Sequence, residues 1–174
     1  DRDTGDITYP VQKVIMQRSA KSATLEARDI DVLIAASPSR QDETIGVVAA
    51  LLDKGLRLVV KLHPAQTLKS SGLGAHFSPE KLAIHSGDEE FCALASRARV
   101  FVPVNATSTT TFEAVENGAR LVVVDFGGVK TTSMNDGIVS ARAGSLETLP
   151  DIVIAQLNID HTNAISKKGA HRET

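Results

Sequence analysis

The feature that most constrains this chain is a repeated switch between short apolar runs and helix-spaced segments. Asp31-Val32-Leu33-Ile34-Ala35-Ala36 is almost wholly apolar and stops at Ser37-Pro38-Ser39. A run without polar alternation suits a strand covered on both faces, as in a parallel sheet. Glu43 to Lys54 then spaces Ile45, Val48, Ala49, Leu51 and Leu52 along one helical face, with Gly55 as its stop. Leu56 to Leu62 is a second strand, closed by His63-Pro64 because proline has no N–H for a ladder. Residues 65–80 read as loop around a short helix, and Lys81 to His85 as a third strand. Asp88 stands where a helix from Glu89 to Arg97 needs an N-cap, and that helix turns Phe91, Leu94 and Ala95 inward.

Arg99 to Val104 and Leu121 to Phe126 are the fourth and fifth strands, either side of a helix from Thr109 to Asn117 that ends at Gly118. Gly127-Gly128 closes the fifth strand, 129–136 is polar loop, 137–141 a short strand and 146–157 a last helix. Pro150 fits only the first turn of such a helix. Strands joined by crossovers long enough for helices require a parallel sheet with helices on both faces. The expected fold is therefore a single doubly wound, Rossmann-like α/β domain with a mostly parallel sheet of about five or six strands. It spans 29–157, between polar extensions at 1–28 and 158–174.

Composition narrows the function classes. The 174 residues suit one domain with a real core. Nineteen basic and 21 acidic side chains give a net charge of -2, which leaves no basic face for nucleic acid. With 3% aromatics and no Trp, base-stacking platforms are scarce as well. The lone Cys92 excludes a disulfide framework or a multi-cysteine zinc site, and reads as a small buried residue on a helix. The five histidines lack the spacing of metal ligands on one helix, so neither a metal nor a cofactor is expected. No apolar run approaches the ~20 residues that span a bilayer. Asp1 to Asp6 is polar and acidic, unlike a signal peptide, and the missing initiator Met points to a fragment or processed chain. The expected setting is cytoplasmic, at most peripheral to a membrane.

In an open parallel sheet, ligands bind beyond the carboxyl ends of the strands. Here those ends carry Ser37, Ser39 and Arg40, then His63, then Ser86-Gly87-Asp88, then Asn105 to Thr111, then Gly127 to Lys130. Hydroxyls, small residues and cations dominate, which suits a polar ligand bearing phosphate. The run Thr107-Ser108-Thr109-Thr110-Thr111 opens a helix, where N–H groups and hydroxyls meet phosphate oxygens. An N-cap followed by surface threonines explains one of these hydroxyls but not five. Glu113 lies one turn beyond Thr109 on the same face, placed to accept ribose hydroxyls, whereas Glu116 points to solvent. His63 has a donor for phosphate or base, or else a purely structural role. Lys61, two residues earlier, shares its side of the strand.

Other chemistries lack their motifs. There is no Gly-x-x-x-x-Gly-Lys-Ser/Thr, no Gly-x-Gly-x-x-Gly after the first strand and no Gly-x-Ser-x-Gly elbow.

Val32 to Gly128 resembles the nucleotide-sugar-binding, C-terminal half of GT-B glycosyltransferases, in particular capsule and cell-wall polysaccharide transferases that use CMP-sugars or CDP-glycerol. The matching pieces are Ala-Ser-Pro-Ser-Arg (36–40), Lys-Leu-His-Pro (61–64), Ala-Thr-Ser-Thr-Thr-Thr-Phe-Glu-Ala (106–114) and Asn-Gly-Ala-Arg-Leu-Val-Val-Val (117–124). The resemblance implies that His63, Ser108, Thr109, Thr110 and Glu113 bind the donor nucleotide. It also implies a second Rossmann domain or subunit that carries the catalytic base, so this chain is expected to be inactive alone. Its catalytic residues are not assigned.

Two alternatives stay open. One is half of a non-hydrolysing UDP-sugar 2-epimerase, although that family shows Ser-Gly-Gly and paired glutamates where this chain has Ser-Thr-Thr and one aligned Glu. The other is a non-catalytic, flavodoxin-like regulatory or partner-binding domain.

Overall fold

The structure is a computed structural model that describes residues 28–86, 90–105, 109–126 and 136–169, with helical backbone alone beyond Ile159. Six strands, β1 (Ile30–Ala35), β2 (Leu58–Lys61), β3 (Ala83–His85), β4 (Ala98–Pro103), β5 (Arg120–Val124) and β6 (Val139–Ala143), form one sheet in the order β3-β2-β1-β4-β5-β6. Every pairing is parallel. The doubly wound, Rossmann-like architecture expected from the apolar runs is the one found.

The strand order also decides between variants of that architecture. Flavodoxin-like sheets run 2-1-3-4-5, whereas here β3 lies outside β2 and β4 sits against β1. The flavodoxin-like alternative is thus not the topology of this chain. Its switch point falls between β1 and β4, where the chain stops extending the sheet one way and begins to extend it the other.

Helices α1 (Gln41–Leu52), α2 (Leu73–His76) and α5 (Leu149–Gly169) cover one face, and α3 (Phe91–Arg97) and α4 (Thr110–Glu116) the other. The first face packs Val32, Ile34, Val60, Val100, Val102 and Val122 against Val47, Val48, Leu51, Leu149 and Val153. The second packs Leu33, Phe101, Leu121 and Val123 against Leu94, Ala95 and Ala114. Central strands buried on both faces are what a continuous apolar run encodes. Full burial of each Val or Leu side chain contributes about 1.5–3 kcal/mol.

Some expectations shift in detail. In α1 the buried residues are Thr44, Val47, Val48 and Leu51, an i, i+3, i+4, i+7 stripe, with Ile45 and Leu52 half-buried at its border and Ala49 exposed. The last strand spans 139–143 rather than 137–141. Helix α5 starts at Leu149 with Pro150 in its first turn, and its backbone continues past Leu157 to Gly169. Leu157 is buried, and Asn158 and Ile159 after it are exposed. Arg28, the last residue assigned to the N-terminal extension, is buried in the domain. The cap Asp88, the Gly127-Gly128 turn, Lys130 and most of the polar loop 129–136 lie outside the described residues.

Candidate functional site at the carboxyl edge of the sheet

All strands run the same way, so every strand-to-helix exit opens on one edge. On that edge β1 ends in Ser37, Ser39 and Arg40, β2 in His63, β4 in Asn105 and Thr109, and β5 in Asp125 and Phe126. The exits of β2, β1 and β4 are consecutive neighbours. His63 and Thr109 therefore share a rim with β1 between them, and both are exposed.

The β1 exit is a tight turn. Arg40 N–H donates to Ser37 O at 3.2 Å, and Thr44 reaches back to Arg40 O through both its N–H (3.0 Å) and its hydroxyl (2.8 Å). Ser37 is buried, and its Oγ lies 3.2 Å from that of exposed Ser39. Arg40 is held at backbone level while its side chain stays 43% exposed, with Glu43 at 4.0 Å and the Phe126 ring centroid 5.6 Å from its guanidinium carbon.

His63 is oriented by its own turn. The Ala65 N–H donates to His63 Nδ1 at 3.1 Å, and His63 N–H donates to Gln66 Oε1 at 3.2 Å. An Nδ1 that accepts leaves the ring proton on Nε2, so the imidazole offers an N–H outward. Pro64, directly after it, holds the backbone of that turn.

Lys61 does not stand beside His63. Its side chain is 6% exposed, and its ammonium donates to the carbonyls of Ser86 and Leu62. The alternation that would align residues 61 and 63 applies only within a strand, and β2 ends at Lys61. In this position Lys61 ties the exits of β2 and β3 together.

Thr109 is the N-cap residue of α4, with helical φ and ψ of -60° and -27°, and its side chain makes no capping bond. The capping explanation for this hydroxyl thus does not apply. Thr110, the first residue of the helix, is half-buried. Thr111 is fully buried, and its Oγ1 has no partner among the described residues. Thr107 and Ser108 lie outside the described residues.

Glu113 is half-buried on α4, but its Oε2 is 3.8 Å from the Cys92 thiol on α3. Helical counting gave the turn correctly and could not reveal that α3 lies opposite it. Cys92 is half-buried rather than a core residue. Glu116 is exposed, as its phase requires.

Two rim residues escaped the sequence reading. Phe126 looked like the last apolar residue of a strand, yet β5 ends at Val124 and the ring is half-buried under Arg40. Asp125 pairs with Arg142 of β6 at 3.4 Å, an interaction across adjacent strands that no local pattern signals. Among the described residues no group of three or more His, Cys, Asp or Glu is arranged to hold a metal ion. No described helix is long and apolar enough to cross a membrane.

An open, parallel, doubly wound sheet with polar side chains at its carboxyl edge is the class that fold and site define. Among solved structures, the chain is similar to a crystal structure of the glycotransferase of kitacinnamycin. The TM-score is 0.51 at 16% identity, covering 75% of this chain and 36% of that one. The shared feature is a Rossmann-type fold, and the chain matches about a third of the neighbour's length. No protein-family model matches the sequence, and no curated protein does.

Proposed function

We propose that this domain binds the nucleotide of an activated sugar, or of CDP-glycerol, as one half of a glycosyltransferase for surface polysaccharides. A second Rossmann domain or subunit completes the enzyme and supplies the catalytic base. The observation that carries the reading is the shared edge of β2, β1 and β4, which gathers His63, Ser39, Arg40 and Thr109 with their side chains exposed at the switch point. A phosphate there meets the Nε2–H of His63, a guanidinium and hydroxyl donors, a set that suits a dianion without a metal. Thr107 and Ser108 extend the hydroxyl set in this reading. Glu113 takes the ribose by exchanging its weak thiol contact for two sugar hydroxyls. The likeness to a glycotransferase fold supports the same assignment.

Calorimetry with CMP, CDP and UDP tests it. Binding of at least one is expected, and His63→Ala or Thr109→Val should each weaken that binding by about 1–3 kcal/mol, the range for a lost charged or buried hydrogen bond. If none of the three binds, the donor reading is wrong.

A further inference from the structure

Phe126 and Arg40 come from exits that are not adjacent. Arg40 follows β1, Phe126 follows β5, and β4 lies between them. Strands are spaced about 4.8 Å apart, so the two exits are about 10 Å from each other. The 5.6 Å approach of the Arg40 guanidinium carbon to the Phe126 centroid therefore joins two exits that flank the end of β4. That end releases the chain into the hydroxyl run. The Arg40 backbone is fixed by Ser37 and Thr44, whereas its head, among the described residues, has a 4.0 Å approach to Glu43 besides the ring. Phe126 in turn is anchored, since it packs against the buried cluster of the α1/α5 face.

From this we infer that Phe126 is a positioning residue: its ring holds the Arg40 guanidinium at the carboxyl edge, so that the cation is already in place when a diphosphate arrives. The inference rests on the donor-binding reading and adds to it a residue that touches no ligand. A long arginine otherwise samples many rotamers, and fixing one before binding lowers the entropy lost on binding. An aromatic face holds a guanidinium without neutralising its charge, as a carboxylate would.

The test is a double-mutant cycle on the intact chain, read by calorimetry with CDP and UDP against the bare nucleosides cytidine and uridine. Phe126→Leu should weaken diphosphate binding about two- to ten-fold, the scale of one cation–π contact, and leave nucleoside binding unchanged. Phe126→Tyr, which keeps the aromatic face, should restore it. In an Arg40→Met background, Phe126→Leu should have no further effect on binding. An equal loss in both backgrounds, or a loss shared by nucleoside and diphosphate, would make Phe126 merely structural and overturn the inference. Should F126L melt early, F126M enters the same cycle with the same expectations. If the wild-type chain binds no diphosphate, the donor reading fails and this inference with it. If it binds but the two residues are uncoupled, the inference alone fails.

Discussion

The two edges of the sheet are built on opposite terms. At the amino edge several charges are tied into the framework. Arg28 donates to Ala98 O (2.7 Å), Gly118 O (2.6 Å) and Asn117 O (2.9 Å). Asp31 accepts from Arg57 N–H, Nε and Nη2, with Arg99 at 3.4 Å. Arg99 and Arg120 also reach α5, at Leu157 O and Gln156 O. At the carboxyl edge Ser39, Arg40, His63 and Thr109 are exposed and make few bonds among themselves. Saturated polar groups hold a structure together, and polar groups left facing outward remain available to a ligand. In this chain stability and recognition are therefore separated by the length of a strand.

The sharpest way to break that contrast is at Arg28. Its guanidinium closes the C-terminal end of α4 and the start of β4, and Gly118, at φ +83°, leaves the space it occupies. Arg28→Met keeps the packing of the stem but abandons three carbonyls, and should cost about 3–5 kcal/mol by chemical denaturation. Nucleotide affinity of the folded fraction should not change. A loss below 1 kcal/mol would mean that the amino edge does not carry the stability assigned to it.

Asp31 should matter less, and in a pH-dependent way. Burial raises its pKa, but hydrogen bonds from Arg57 and the charges of Arg57 and Arg99 outweigh that and hold the carboxyl below its usual value. Asp29 is also lowered, chiefly by its bond to Arg97. A carboxylate with a depressed folded-state pKa stabilises fully above its unfolded pKa and loses this as pH falls through the folded one. Asp31→Asn should therefore cost about 1–2 kcal/mol at pH 7, with the share of the half-exposed Arg57 screened. Below about pH 4 the gap between mutant and wild type should close. A gap that stays constant from pH 7 to pH 3 would rule out an ionic cause.

This division also explains which parts were legible in the sequence. Val32 to Ile34 and Leu121 to Val124 announce buried strands by themselves, because double-sided burial leaves no polar position within the run. Polar contacts are another matter. The partners of Arg28 lie 70 to 90 residues away, and nothing local marks that arginine as buried. Strand alternation carried past the strand's end misplaces Lys61, whereas the helical count gives the phase of Glu113 and cannot name Cys92 as its neighbour. Phe126 was overlooked for the same reason as Arg28: its partner lies two strands away. The candidate rim was readable as an inventory of side chains, and only topology showed which exits are adjacent.

Thr111 is the exception on the carboxyl side, a fully buried hydroxyl without a partner among the described residues. An unsatisfied buried hydroxyl costs about 1–3 kcal/mol, and valine has nearly the same shape. Thr111→Val should raise stability by about 1 kcal/mol, seen as a higher melting temperature. Destabilisation instead would show that the hydroxyl is satisfied in solution.

The smallest expected effect is the most informative about the contrast. His63→Ala removes an exposed ring whose bonds stay within its own turn, to Ala65 and through the backbone to Gln66. Surface changes of this kind usually fall within about 0.5 kcal/mol of neutral. Denaturation should therefore barely register the substitution that the donor reading expects to weaken nucleotide binding most clearly. If stability and binding fell together, His63 would belong with Arg28 as part of the framework, and the two edges would no longer differ in kind.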